Sequence, residues 1–459
     1  MNYLDILKLI PGVESPQKRL TFKEKLKWTG IILILYYAMS QIIVWGVDQE
    51  AVARFEFLEI VLGSAMGSLI TLGIGPIVTA SIILQLLNGS GILKWDTNTE
   101  EGRMIFMGTQ KILAMLFCFF EAIAFVIFGA IPPNLALGPY VVPLLILQLA
   151  AGGILIILMD EVVSKWGFGS GVSLFIAAGI SKRIIIGSIS FLGEGGPAGA
   201  IPSALLSFIS GRPLDAFISL LPLIFTIVVF FFVVYAQSLR VEIPLAFGQV
   251  RGFGRRWPLR FFYTSNIPVI LVGALLANMQ LWARMMYERG IPLLGTFDAS
   301  GNPVSGLIYW ITPPRQANLS NLVISVVSGN GIPPVAFSWI TYALFMIIGS
   351  VIFSIFWVET AGMSAKNVAR QIQNIGLSVP GFRRDVRIIE RVLKRYINAL
   401  AVLGGATVGL LAAFADFTGA LGTGTGILLT VMIIYNLYEE LARQHLEDMH
   451  PALRRFMGR

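Results

Sequence analysis

Gly67-Ser-Leu-Ile-Thr-Leu-Gly-Ile-Gly-Pro-Ile-Val-Thr-Ala, residues 67–80, is apolar enough to enter a bilayer. Yet Gly73, Gly75 and Pro76 interrupt the helix that a bilayer demands. Broken backbone at membrane depth is tolerated only where it is buried in protein or lines a cavity. The segment is therefore expected to border a water-filled space. Residues 55–66, just before it, are apolar but too short to cross. They read as a piece that enters from outside and stops part-way, either an interfacial helix or a movable stopper.

The rest of the chain has the composition of a membrane protein. Of 459 residues, 56% are hydrophobic and only 13% charged, against ~25% in soluble proteins. Mean hydropathy is +0.77. A soluble domain of this length has too little core to hide so much apolar surface, which excludes a soluble globular enzyme and a disordered tail protein. Cys118 is the one cysteine, so no internal disulfide framework exists. His445 and His450 both lie near the C-terminus, which argues against an intramembrane His-ligated metal. No cofactor is expected.

A helix needs about 20 mostly apolar residues to cross ~30 Å of hydrocarbon. Clear runs occur at 28–46, 107–129, 139–159, 215–235, 266–283, 339–358 and 397–415. The broken stretch 68–87, the Gly- and Ser-rich stretch 170–189 and the short 424–438 bring the expectation to ten spans. The basic N-terminus leads into a full-length run with no small-residue cleavage site, which speaks against a cleavable signal peptide. With both termini in the cytoplasm, every Lys and Arg falls inside except Arg54, Lys182, Arg183, Arg212, Arg284, Arg289 and Arg315. The positive-inside rule therefore fixes this orientation, and the formal net charge of +8 is topogenic first.

Two inside loops are long and basic. Residues 236–264 hold Arg240, Arg251, Arg255, Arg256 and Arg260; residues 359–396 hold Arg383 and Arg384 among eight basic residues. Anchoring to anionic lipid needs fewer charges. Gly252, Gly254, Pro258, Pro380 and Gly381 read as turns. Such loops suit an acidic docking partner, and ribosomal RNA is one acidic body present at a membrane face. Composition leaves the anchoring and docking readings even.

Inside the spans, acids are few. Glu121 lies within the third. A buried acid bonded to a neighbouring helix is the default for it. No chain of Asp, Glu or His forms a proton relay, which weakens the alternative of a secondary transporter for a small solute. Neither a phosphate-binding glycine loop nor a nucleophile elbow is present, so an intramembrane enzyme has no visible chemistry.

Several longer words, in order, carry a resemblance. They are Phe22-Lys-Glu-Lys-Leu-Lys-Trp-Thr-Gly, Ile70-Thr-Leu-Gly-Ile-Gly-Pro-Ile-Val-Thr-Ala and Asp160-Glu-Val-Val-Ser-Lys-Trp-Gly-Phe-Gly-Ser-Gly. They continue with Arg240-Val-Glu-Ile-Pro-Leu-Ala, Ser265-Asn-Ile-Pro-Val-Ile, Phe356-Trp-Val-Glu-Thr and Gly419-Ala-Leu-Gly-Thr-Gly-Thr-Gly. Over essentially its full length the chain resembles the SecY family, the pore subunits of the general protein-translocation channel, in its archaeal form.

The resemblance implies an all-α membrane protein of ten helices in two inverted halves, 1–212 and 213–459, around an hourglass pore. It implies a pore ring of Ile74, Val78, Val172, Ile176, Ile270 and Leu429. The pairs 74/78 and 172/176 are spaced i, i+4 and face one way. A ring of branched aliphatics wets poorly and carries no fixed charge to grip a passing chain. A plug is implied at Phe55, Phe57, Leu58, Ile60, Val61, Leu62 and Met66; Glu56 and Glu59 depart from an apolar plug, although i, i+3 spacing lets them share an outward face. A lateral gate is implied at Thr79, Glu121 and Asn278, and Arg383 matches an arginine of the last cytoplasmic loop. Implied partners are SecE-like and Secβ-like small subunits, signal sequences and nascent chains, ribosomes and the lipid bilayer. No catalytic residue is implied.

Overall fold

Thr21 opens the first helix with a capping box: its hydroxyl accepts from the Glu24 N–H while Glu24 Oε2 accepts from the Thr21 N–H at 2.8 Å. The computed structural model describes residues 11–18, 20–48, 66–89, 92–93, 95, 99–127, 131–191, 199–247, 254–298, 303–314, 318–319, 321–322, 325, 334–374, 377–378 and 386–449. Its helices are α1 (Phe22–Gln41), α2 (Gly75–Gly89), α3 (Glu100–Ile127), α4 (Val141–Trp166), α5 (Gly171–Ile189), α6 (Ala200–Ile209), α7 (Pro213–Ser238), α8 (Ile267–Glu288), α9 (Leu307–Ile311), α10 (Ser338–Thr360), α11 (Ala365–Asn374), α12 (Val386–Phe417) and α13 (Gly424–Met449).

Eight of them, α3, α4, α5, α7, α8, α10, α12 and α13, are long and apolar enough to cross a membrane. The chain is a multi-pass membrane protein. Helices α1 and α2 occupy the other two expected positions. The first carries Lys23, Glu24, Lys25 and Lys27 in its opening turns, and the second has only 15 residues.

Both differ from the expected spans for local reasons. The run 28–46 stays helical only to Gln41. Ile42, Ile43 and Val44 favour extended backbone, and their polar groups are satisfied elsewhere: the Val44 N–H donates to the Gly67 carbonyl and the Leu69 N–H to the Ile42 carbonyl, each at 2.9 Å. In 67–80, residues 68–75 form successive i→i−3 turns, with N–H groups of Thr71, Gly73 and Gly75 donating to Ser68, Ile70 and Leu72. Gly73 takes φ +54, which suits glycine. Pro76 falls in the first turn of α2, where its missing N–H costs nothing. Gly75-Pro76 starts a helix rather than breaking one.

Two corners repeat one device. At α4–α5, Gly169 takes φ +68 and the Val172 N–H donates to Asp160 Oδ1 at 2.8 Å. At α12–α13, Gly422 takes φ +76 and the Thr425 N–H donates to Asp416 Oδ1 at 2.8 Å. In each, a carboxylate from the end of one helix caps the start of the next. A Cβ on Gly171 would stand 2.5 Å from the Asp160 Cα, and one on Gly424 would stand 1.7 Å from the Ala415 carbonyl carbon. Asp416 also accepts from the Tyr342 hydroxyl at 2.6 Å and from the Thr425 hydroxyl.

Packing forms three apolar clusters. The largest joins α1, α2, α4, α5, α7, α8, α9, α10, α12 and α13. A second joins α2, α3, α4 and one face of α8; Cys118 is fully buried in it. A third, at one end, joins α11 to the start of α12 through Val368, Ala369, Ile372, Ile389 and Leu393. Helices α10 and α12 approach closely because Gly405 and Gly409 are spaced four apart; a Cβ on Gly409 would lie 2.5 Å from the Met346 carbonyl oxygen.

The loop 236–264 is not a set of turns. It is a hairpin of β1 (Arg240–Phe247) and β2 (Gly254–Arg260), with β5 (Leu377–Ser378) on the far side of β1. Gly254 and Pro258 therefore lie in a strand. Pro258 is tolerated because β2 is an edge, and Pro244 because β5 pairs β1 only from Ala246. A smaller pair, β3 (Thr296–Phe297) and β4 (Pro303–Ser305), follows α8. Helix α6 was not expected from the sequence; its ten residues are too few to cross.

Candidate functional site

The six expected ring residues lie on the turn before α2 and on the helices α2, α5, α8 and α13. Ile74, Val78, Ile176 and Leu429 are buried in the largest cluster, and the partly buried Val172 and Ile270 pack against it. Branched aliphatic groups from four helices thus contribute to one apolar core. Such a surface repels water and ions unless it is forced apart.

Beside it lies a polar seam. Asn278 Nδ2 on α8 donates to Thr79 Oγ1 on α2 at 3.0 Å, and Thr79 Oγ1 donates to Glu121 Oε1 on α3 at 3.1 Å. Thr79 and Glu121 are buried. The Thr79 hydroxyl is both acceptor and donor, so one side chain links the two sides. Apolar packing surrounds the triad: Ala277, Leu281 and Met285 of α8 are buried in the cluster that holds Ala80 of α2 and Ala122 of α3.

The expected plug residues Phe55, Phe57, Leu58, Ile60, Val61 and Leu62, with Glu56 and Glu59, lie outside the described residues. Met66 is placed, half-buried against the second cluster. Of the expected docking arginines, Arg251, Arg383 and Arg384 also lie outside. Arg255 and Arg256 sit in β2, opposite Leu245 and Pro244.

Sequence reasoning passed over the residues that fix the hairpin. Glu439 on α13 accepts from Arg260 Nη2 and from Arg240 Nη2, the latter at 3.4 Å. Tyr263 donates to the Met363 carbonyl at 2.7 Å, and burial pushes its phenol up to about 12, so it stays a donor. These partners are far apart in the chain, and no spacing rule points to them. Among the described residues no group of His, Cys, Asp and Glu could hold a metal ion.

The SecY family model matches residues 68–438. The protein translocase subunit SecY of Methanothermobacter thermautotrophicus is 48% identical over 461 residues, covering 99% of this chain and 98% of its own. A solved structure described as a protein conducting channel is similar at TM-score 0.85 and 46% identity, over 98% of this chain and 99% of that one. Sec61 in a canine ribosome–channel complex from the endoplasmic reticulum is similar at 0.82 and 46% identity, over the same shares. Likeness of this extent, along nearly the whole sequence and fold, means that the chain belongs to the SecY family.

Proposed function

We propose that the chain is the central pore subunit of a protein translocase, a passive channel through which unfolded secretory polypeptides cross and from which apolar segments leave sideways into lipid. One observation supports this reading: Ile74, Val78, Val172, Ile176, Ile270 and Leu429, from separate helices, all belong to or pack against one apolar cluster. These six form the constriction. Residues 55–66 plug it. Thr79, Glu121 and Asn278 latch the seam through which a signal sequence parts α2 and α3 from α8 and α10.

The halves 1–212 and 213–459 form two inverted repeats. The Asp160 and Asp416 corners support this, because in each half an aspartate of one helix caps the start of the next across a glycine of positive φ. Charge distribution supports both termini in the cytoplasm, with the hairpin and the 359–396 segment on that face. There Arg251, Arg255, Arg256, Arg383 and Arg384 dock a ribosome, as the canine relative's complex suggests. SecE-like and Secβ-like subunits complete the assembly. The chain itself performs no catalysis, and energy comes from a partner.

The test is import. Vesicles holding the chain and its co-purifying subunits are given ribosomes translating a secretory precursor. Protease-protected precursor is expected, and a precursor that lacks its signal sequence stays accessible. Equal accessibility of both precursors would refute the reading.

A further inference from the structure

Arg240 and Arg260 stand opposite each other as a cross-strand pair at the base of the β1–β2 hairpin. Like charges directly opposite in an antiparallel ladder repel. The rung is relieved from outside the sheet. Glu439 on α13 presents one carboxylate oxygen to each guanidinium. Arg260 Nη1 also donates to Asn436 Oδ1 at 2.9 Å, and Asn436 lies three residues before Glu439, on the same face of α13. Asn436 Nδ2 in turn donates to Ser265 Oγ at 2.8 Å. Ser265, at φ +56, immediately precedes Asn266, the cap of α8. One polar chain thus runs from the hairpin across α13 to Ser265, the residue before the cap of α8.

The covalent route between the same two elements is anchored elsewhere. Tyr263 is bonded to the Met363 carbonyl, and Thr264 shares a hydrogen bond of 3.0 Å with Ser354 on α10. Movement of the hairpin along the backbone alone meets these anchors before it reaches α8. The clasp passes them by and ends on Ser265.

We propose that Glu439 and Asn436 are positioning residues that couple the β1–β2 hairpin to the start of α8, so that a body docked on the hairpin shifts the helix that bears Ile270 and Asn278. This rests on the reading of the hairpin as a ribosome-docking element. Arg240 and Arg260 are 49% and 46% exposed, so each contact is weak and the clasp breaks and re-forms readily. A transmission that must yield to a signal sequence needs contacts of that kind.

Hydrogen exchange tests the coupling, with the chain and its co-purifying subunits in vesicles and vacant ribosomes as the probe. In the parent, ribosome binding should alter exchange in the first turn of α8. Glu439→Gln should bind ribosomes within about twofold of the parent, while exchange at the hairpin base and the first turn of α8 rises about two- to fivefold without ribosomes, as expected for loss of an exposed ion pair. Its response at α8 to ribosomes should fall by at least about half. Asn436→Ala leaves the Glu439 contacts in place and should lose the α8 response while the hairpin base stays protected. A full α8 response in both variants, with normal ribosome affinity, overturns the coupling and leaves docking intact. Failure of the parent to bind ribosomes overturns the docking reading and the coupling with it.

Discussion

Gly152 of α4 lies so close to Leu69 that a Cβ on the glycine would stand 1.8 Å from the Leu69 carbonyl oxygen. Leu69 belongs to the turns of residues 68–75, which hold Ile74 of the proposed ring. Gly152→Ala must therefore push this segment aside. Overpacking of this kind costs about 1–3 kcal/mol, and here the strain falls on the turns that hold Ile74. The variant should unfold at a lower temperature and leak ions at rest in planar bilayers. Gly30→Ala is the control, since a Cβ there meets nothing within 4 Å. An unchanged resting current in Gly152→Ala would separate these turns from the seal.

Changing Ile74, Val78, Ile176 and Ile270 together to Ser should wet the constriction. The dewetting barrier disappears when aliphatic walls become polar. Resting conductance should rise, while import of a strong signal sequence persists. Baseline current equal to the parent's would remove these residues from the gate.

Asn278→Leu deletes the α8 member of the seam. Only the Asn278–Thr79 bond crosses from α8 to α2; interhelical hydrogen bonds in membranes average about 0.6 kcal/mol and reach about 1.7, so its loss shifts an open–closed balance by roughly three- to eighteenfold. The same substitution makes the seam more apolar, which acts in the opposite direction. The expected outcome is a changed threshold: in a series of signal sequences of graded hydrophobicity, the minimum that supports import should move. The same minimum at equal expression would reduce the triad to packing.

Charge reversal of Arg251, Arg255, Arg256 and Arg383 should weaken ribosome binding to vesicles. Parent affinity should also fall steeply with salt, because phosphate contacts release counterions. Orientation should survive, since many inside basic residues remain. Matched affinities across several salt concentrations would leave these arginines as membrane anchors.

Lipid as solvent makes much of this fold readable. Runs such as 107–129 and 339–358 became α3 and α10 because a bilayer accepts only apolar helices there. The hairpin was hidden because Pro244 and Pro258 disguise its strands and arginines its pattern. Helix α6 was hidden by its shortness. The ring was named only through resemblance, since Ile176 or Leu429 alone looks like any other packed aliphatic residue. The same holds for Thr79, Glu121 and Asn278, whose hydrogen bonds span 42 and 199 positions. The paired corners left a trace in Gly169-Ser-Gly-Val and Gly422-Thr-Gly-Thr, but their aspartates sit at unequal distances, 12 and 9 residues away.

Cys118 is sealed between α3 and α4, with no exposed surface, and a Cβ on Gly153 would stand only 2.8 Å from its Sγ. The chain thus behaves, toward water-soluble maleimides, as though it had no thiol. Reporter cysteines can be placed anywhere else on the native background, and slow labelling of Cys118 itself becomes a clock for separation of α3 from α4.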